Sequence, residues 1–159
     1  MELDLSPFME SCTFIIQEVS GLNTEIGSVY SKSSPVSVME IAVIFGIVGD
    51  IKGQVTFTMN TELGHKITSA MLEQNGLEET DEFVRSAISE FGNMVMGHTA
   101  GAFYKKGIFF DITPPSILTG DNLLFSFERM NIESIPVKFD DGSMMEINIA
   151  YKFSNTNFK

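Results

Sequence analysis

Basic residues are scarce in this chain. Lys and Arg number 10 against 21 Asp and Glu in 159 residues, for a formal net charge of −11. Nucleic-acid binding needs clustered Lys and Arg to meet phosphates, so that partner class is excluded, and an anionic membrane surface is excluded on the same ground. The acidity itself reads as solubility. Cysteine is scarcer still: Cys12 stands alone. An intrachain disulfide framework or Cys-based zinc site cannot be built from it, and its place in an apolar helical pattern makes it a buried structural thiol. Long apolar runs are also missing; the longest, around Ile41 to Val48, is too short to cross a bilayer. Met1-Glu2-Leu3-Asp4 lacks the basic and then apolar sequence of a secretory leader. A soluble cytoplasmic chain is the expectation. No repeat, low-complexity tract or interdomain linker interrupts residues 1–159, which are expected to form a single domain.

What is present is enough for a sizeable core, with 43% hydrophobic residues and 14 Phe. Ser6-Pro7 reads as a cap followed by proline at the first helical position, and Phe8, Cys12, Ile15, Ile16, Val19 and Leu22 follow at helical spacing. Gly27 to Pro35 reads as a loop. Val36 to Val48 is apolar on both alternating sets, as in a strand covered on both faces. Gly49 to Gly53 is a turn, after which Val55, Phe57 and Met59 alternate with Gln54, Thr56 and Thr58. Asn60-Thr61-Glu62 caps a second helix that ends at Asn75-Gly76, and Thr80-Asp81-Glu82 opens a third that runs to about Lys106-Gly107. Strands follow at Ile108 to Thr113 and Leu123 to Arg129. A last hairpin pairs Ile135, Val137 and Phe139 with Met145 to Phe153 across Asp141-Gly142. The predicted class is α+β: two layers, a mainly antiparallel sheet of about six strands with three helices packed on it.

The third helix carries the feature with chemical content. At about 100° per residue, Phe83, Val84, Ala87, Ile88, Phe91, Met94, Val95 and His98 fall on one stripe, the predicted core face. Glu90 lies roughly 95° and Asn93 roughly 155° from its middle, three residues apart and so surface neighbours. Their companions on that side are Ser86, Gly97, Ala100 and Gly101, all small, and Glu90 is the one charge between Ser86 and Gly101. Glycine inside a helix costs roughly 0.5–1 kcal/mol against alanine, yet Gly92, Gly97 and Gly101 are all accepted. Two readings stay open on the residues alone. A second molecule docks closely there, leaving Glu90 and Asn93 proud, or another element of the same domain packs against the glycines.

Competing residues offer less. His65 and His98 fall on different helices and lack an i,i+4 partner of ligand type. His98 reads as a satisfied, partly buried imidazole. Asp140-Asp141-Gly142-Ser143 lacks the spacing of a calcium loop and reads as the hairpin turn. The ten Met residues read as core gap-fillers. No Gly-rich phosphate loop or Ser-His-Asp set stands out.

The run from Asp81 to Gly97, with Ser89-Glu90-Phe91-Gly92-Asn93-Met94 at its centre, resembles the CheX/CheC/FliY family of chemotaxis phosphatases. Its signature is Asp, Ser or Gly before Glu-x-x-Asn-Met on a helix. Ser6-Pro7-Phe8, Ile47 to Gly53 and Thr113 to Gly120 resemble further segments of the same fold. CheC-type and FliY-type members commonly carry two such helices. Here the first helix has only Gln17-Glu18, so the chain resembles the single-site CheX type; His98 departs from the smaller polar residue that members often have.

The resemblance implies a phosphatase acting on the aspartyl phosphate of a CheY-like response regulator. Asn93 would position the attacking water and Glu90 would pair with the regulator's lysine. No cofactor of its own is implied, Mg2+ being carried by the phosphorylated regulator, and a homodimer joined through an extended sheet is expected. The alternative is a non-catalytic CheC/CheX-like module that docks a response regulator or flagellar switch component.

Overall fold

A computed structural model describes residues 2–73 and 81–155. The first helix, α1 (Ser6–Ser20), starts without a side-chain cap. Leu5 is the N-cap residue, and Ser6, expected as the cap, is instead the first helical residue. Its N–H and hydroxyl both donate to Asp4 Oδ1, at 3.0 and 2.8 Å. Pro7 sits in the first turn, where no N–H is needed, and Gly21 closes the helix in the left-handed region. Cys12 is buried, and burial pushes its thiol up to about 12.

After α1 come the short strands β1 (Thr24–Ile26), β2 (Tyr30–Ser31) and β3 (Val36–Ser37), then β4 (Ile41–Gly49) and β5 (Ile51–Met59). Helices α2 (Thr61–Glu73) and α3 (Asp81–Lys105) follow, then β6 (Phe110–Ile112), β7 (Ser116–Thr119), β8 (Leu124–Phe125), β9 (Asn131–Phe139) and β10 (Met144–Phe153). The main sheet runs β1-β9-β10-β5-β4-β6, with β2 also on β9 and β7 also on β4; β3 and β8 form a separate pair. Every pairing described is antiparallel. The α+β architecture of helices on a mainly antiparallel sheet is therefore as the sequence implies. The path also holds six strands, but β1 is not among those expected, and the expected strand Leu123 to Arg129 supplies only β8, outside the main sheet.

Several boundaries differ. Gly27 to Pro35 contains β2, and the expected strand Val36 to Val48 is two strands. β3 leaves the main sheet to pair with β8, and the chain rejoins at Ile41 after Met39 N–H donates to Thr58 Oγ1 (2.7 Å). The small β3–β8 pair covers part of the sheet's second face. There Val36, Val38, Ala42, Ile132 and Ala150 form their own apolar cluster. Burial on both faces thus holds at the start of β4 and fails at its end, where Val48 is exposed. Thr56 and Thr58, expected on a polar face, are buried. Regular structure between 108 and 113 shrinks to β6, and between 123 and 129 to β8. The last hairpin forms as expected, with Ile147 opposite Ile135 and Gly142 in the turn. Asn60 Oδ1 accepts from Leu63 N–H (2.8 Å), capping α2 as predicted; Asn75-Gly76 and Thr80 lie outside the described residues.

The main core lies between sheet and helices. Phe45, Phe57 and Phe91 are fully buried and meet edge to face at 5.8 and 6.2 Å. Each such side chain stabilises the fold by about 1.5–3 kcal/mol. The methionines follow the core only in part: Met59, Met96 and Met145 are buried while Met144 is exposed. Among the described residues no helix is long and apolar enough to cross a membrane.

Candidate active site

α3 presents its buried side to the sheet through Val84, Ile88, Phe91, Gly92, Val95, Met96, Thr99 and Phe103. That set is centred roughly 75° further round the helix than the sequence stripe. The stripe merged two contact surfaces. Phe83 is exposed and His98 is turned toward α1, where its Nδ1 is 2.8 Å from Ser11 Oγ and its ring stacks on Phe14 at 5.1 Å. His98 is therefore satisfied as expected, but exposed rather than part of the core. Gly92, Met96 and Thr99 supply the missing side of the buried face, Thr99 by donating its hydroxyl to Val95 O (2.7 Å).

Glu90 lies nearly opposite this buried face, and both Glu90 and Asn93 are exposed. Among the described residues neither side chain has a hydrogen bond or ion pair. The three glycines divide between the two open readings. A Cβ on Gly92 would lie 2.9 Å from Phe45 Cε2, so this glycine serves packing within the fold. Cβ atoms on Gly97 and Gly101 would meet nothing within 4 Å. Those two stand on the outer ridge with Ser86, Glu90 and Asn93, and no neighbouring element of the described fold needs their smallness. The ridge is thus an open surface bearing a carboxylate, a carboxamide and clearance for a second body.

Tyr104 continues the ridge at its C-terminal end. Glu90, Asn93, Gly97, Gly101 and Tyr104, spaced by three, four, four and three residues, form one helical face, and that spacing is the signal by which Tyr104 is readable in the sequence. Beyond it the helix closes through Gly107, with Ile108 N–H donating to Phe103 O (3.0 Å). Among the described residues, no group of three or more His, Cys, Asp or Glu stands close enough to hold a metal.

The profile of the family described as chemotaxis phosphatase CheX matches residues 41–138, a span covering the ridge and more than half of the chain. The chain belongs to this CheX family. A CheX-family relative, the CheY-P phosphatase CheX of Thermotoga maritima, is 35% identical over 112 residues, which are 68% of this chain and 70% of that protein. Among solved structures, the CheX–CheY–BeF3–Mg2+ complex from Borrelia burgdorferi contains a chain 27% identical to this one. Its TM-score is 0.80, over 95% of this chain and 99% of that one. A chemotaxis protein CheX from Desulfovibrio desulfuricans superposes with a TM-score of 0.84 at 21% identity, covering 94% of this chain and 98% of its own.

Proposed function

We propose that this CheX-family chain hydrolyses the aspartyl phosphate of a CheY-like response regulator, with Asn93 positioning the attacking water and Glu90 pairing with a lysine of the regulator. The observation that carries the reading is the exposure of both side chains on a ridge whose neighbouring glycines face open space. Phosphoryl transfer asks little covalent chemistry of the protein, so placing a water and balancing charge supply most of the acceleration. A carboxamide can accept from and donate to that water, and it does not repel the phosphoryl oxygens as a carboxylate would. A glutamate-lysine pair forms a charge-assisted hydrogen bond that strengthens as docking expels water, and it fixes the register of the helix.

The divalent cation belongs to the regulator in this scheme, in keeping with the Mg2+ of the Borrelia complex. With this chain at a net charge of −11, a regulator that is itself acidic gains no long-range attraction, so binding rests on local contacts around Glu90 and the complex is weak and transient. We further take residues 1–159 as one cytoplasmic domain that unfolds in a single transition. We also take it to form a homodimer, which light scattering reporting only monomer at micromolar concentration would reject.

The test is phosphate release from a phosphorylated CheY-like protein. Wild-type acceleration must be lost in Asn93→Ala; if that variant remains fully active, the catalytic assignment is wrong. Binding of the regulator without faster dephosphorylation would instead identify a docking module.

A further inference from the structure

Next to Tyr104, the end of α3 faces the turn between β4 and β5 across a cleft of about 410 Å³, lined by Val48, Asp50, Ala100, Tyr104, Phe109 and Asp111 among others. Three of these apolar side chains are unusually open: Tyr104 is 65%, Val48 61% and Phe109 50% exposed. Two of them support each other. Tyr104 and Phe109 meet edge to face at 4.9 Å. Phe109 is clamped by Asp50, which accepts its N–H through Oδ2 and donates its own N–H to Phe109 O, both at 2.8 Å. Gly49 makes this approach possible, since a Cβ there would stand 2.3 Å from Phe109 O. An exposed aromatic pair, one ring packed on the other and one of them on a clamped backbone, is the kind of feature that anchors a protein interface. Aromatic rings offer large contact area, and the mutual contact reduces the freedom that docking removes.

We propose that this cleft is a second contact point for the response regulator, receiving an apolar side chain flanked by Lys or Arg from outside its phosphorylation pocket. The inference rests on the phosphatase reading and extends it. Continuity is the first argument: Tyr104 lies on the same ridge as Asn93, about 16 Å along the helix. The intervening Gly97 and Gly101 leave the path between them unobstructed. A body seated over Asn93 therefore reaches the cleft, within the roughly 800 Å² per partner that a standard interface covers. Charge is the second. Asp50 and Asp111 contribute two carboxylates to the lining, which holds no Lys or Arg. That favours a basic flank on the incoming chain and gives the acidic protein one local attraction.

The experiment titrates the beryllofluoride-activated regulator into wild type, Tyr104→Ala, Asp111→Lys and Asn93→Ala, and measures steady-state phosphate release for each. Tyr104→Ala should raise Kd and KM about tenfold with kcat held within about twofold. Asp111→Lys should raise both and flatten their dependence on salt. Asn93→Ala should lose kcat while keeping Kd. Wild type that binds the regulator but fails to accelerate hydrolysis ends the phosphatase reading, and the Kd of Tyr104→Ala still decides the cleft. Acceleration intact in Tyr104→Ala with an unchanged Kd overturns the cleft alone. So does light scattering in which that variant merely separates two copies of this chain and leaves regulator binding as it was.

Discussion

Helices α1 and α3 lie side by side on the same layer of the sheet, each with one face buried and one open, yet their open faces differ in kind. On α1 that face carries Glu10, Thr13, Phe14, Gln17 and Glu18, mostly long side chains that would hold a second body at arm's length. On α3 it carries Ser86, Glu90, Asn93, Gly97 and Gly101, so two polar groups stand above an otherwise low ridge. Exposure of a polar pair is common on helices. Exposure combined with clearance is what turns a pair into a tool for entering another protein's pocket.

The strongest way to break this comparison is to remove the same chemistry from both helices. Asn93→Ala should lower kcat for regulator dephosphorylation by about 10²–10³, the scale expected from losing one positioned water. Glu90→Ala should act mainly on KM. Gln17→Ala on α1 removes a carboxamide from a face without clearance and should leave both constants unchanged. Equal losses at Gln17 and Asn93 in the phosphate-release assay would erase the distinction between the helices.

Clearance can be tested apart from chemistry. Gly97→Leu adds no charge and removes no functional group, and its side chain extends into open space. It should lower kcat/KM by about tenfold or more through obstructed docking, while thermal stability is kept or raised because glycine gives way to a better helix former. A fully active Gly97→Leu enzyme would show that nothing comes close to the ridge.

The two halves of α3 sharpen the same contrast in stability. Gly101→Ala should stabilise by about 0.5–1 kcal/mol, since only helix propensity changes. Gly92→Ala places its methyl against the ring of Phe45, itself fully buried and packed on Phe57, and should destabilise by a net of about 1–2 kcal/mol. Thermal melts of the pair should therefore move in opposite directions.

Much of this was legible in the residues, and the failures have a common cause. The outward placement of Glu90 and Asn93 followed from spacing alone, because any stripe through Val84, Ile88, Phe91 and Val95 turns them away from the core. The rotation of that stripe did not follow. Periodicity cannot tell an apolar side chain facing the sheet from one facing a neighbouring helix, and it discounts Gly92 and Thr99, which are buried for want of size or through a hydrogen bond to their own helix. The long hairpin was readable because eight residues of alternation fix its register. β3, β6, β7 and β8, two to four residues each, take their pairing from partners distant in sequence, and no local pattern records it.

The smallest expected effect concerns the ends where α1 and α3 are tied together. Lys106, just past α3, reaches Asp4, just before α1, at 2.8 Å. The hydrogen bond from Lys106, then those from the Ser6 N–H and hydroxyl, hold the Asp4 carboxyl down at about 2. A depressed folded-state value means that the carboxylate contributes stability above its unfolded value near 4, and that the contribution fades as pH falls from about 4 to about 2. Both side chains are largely in solvent, so the tie is worth less than about 1 kcal/mol and weakens with salt. Lys106→Met should therefore show a slightly shallower loss of stability between pH 4 and 2 than wild type, with the difference vanishing at high ionic strength. Because the tie lies at the helix ends and leaves Asn93 untouched, kcat at neutral pH should not follow it. A parallel fall in kcat would mean that the spacing of α1 and α3, rather than the ridge of α3 by itself, sets the geometry of the site.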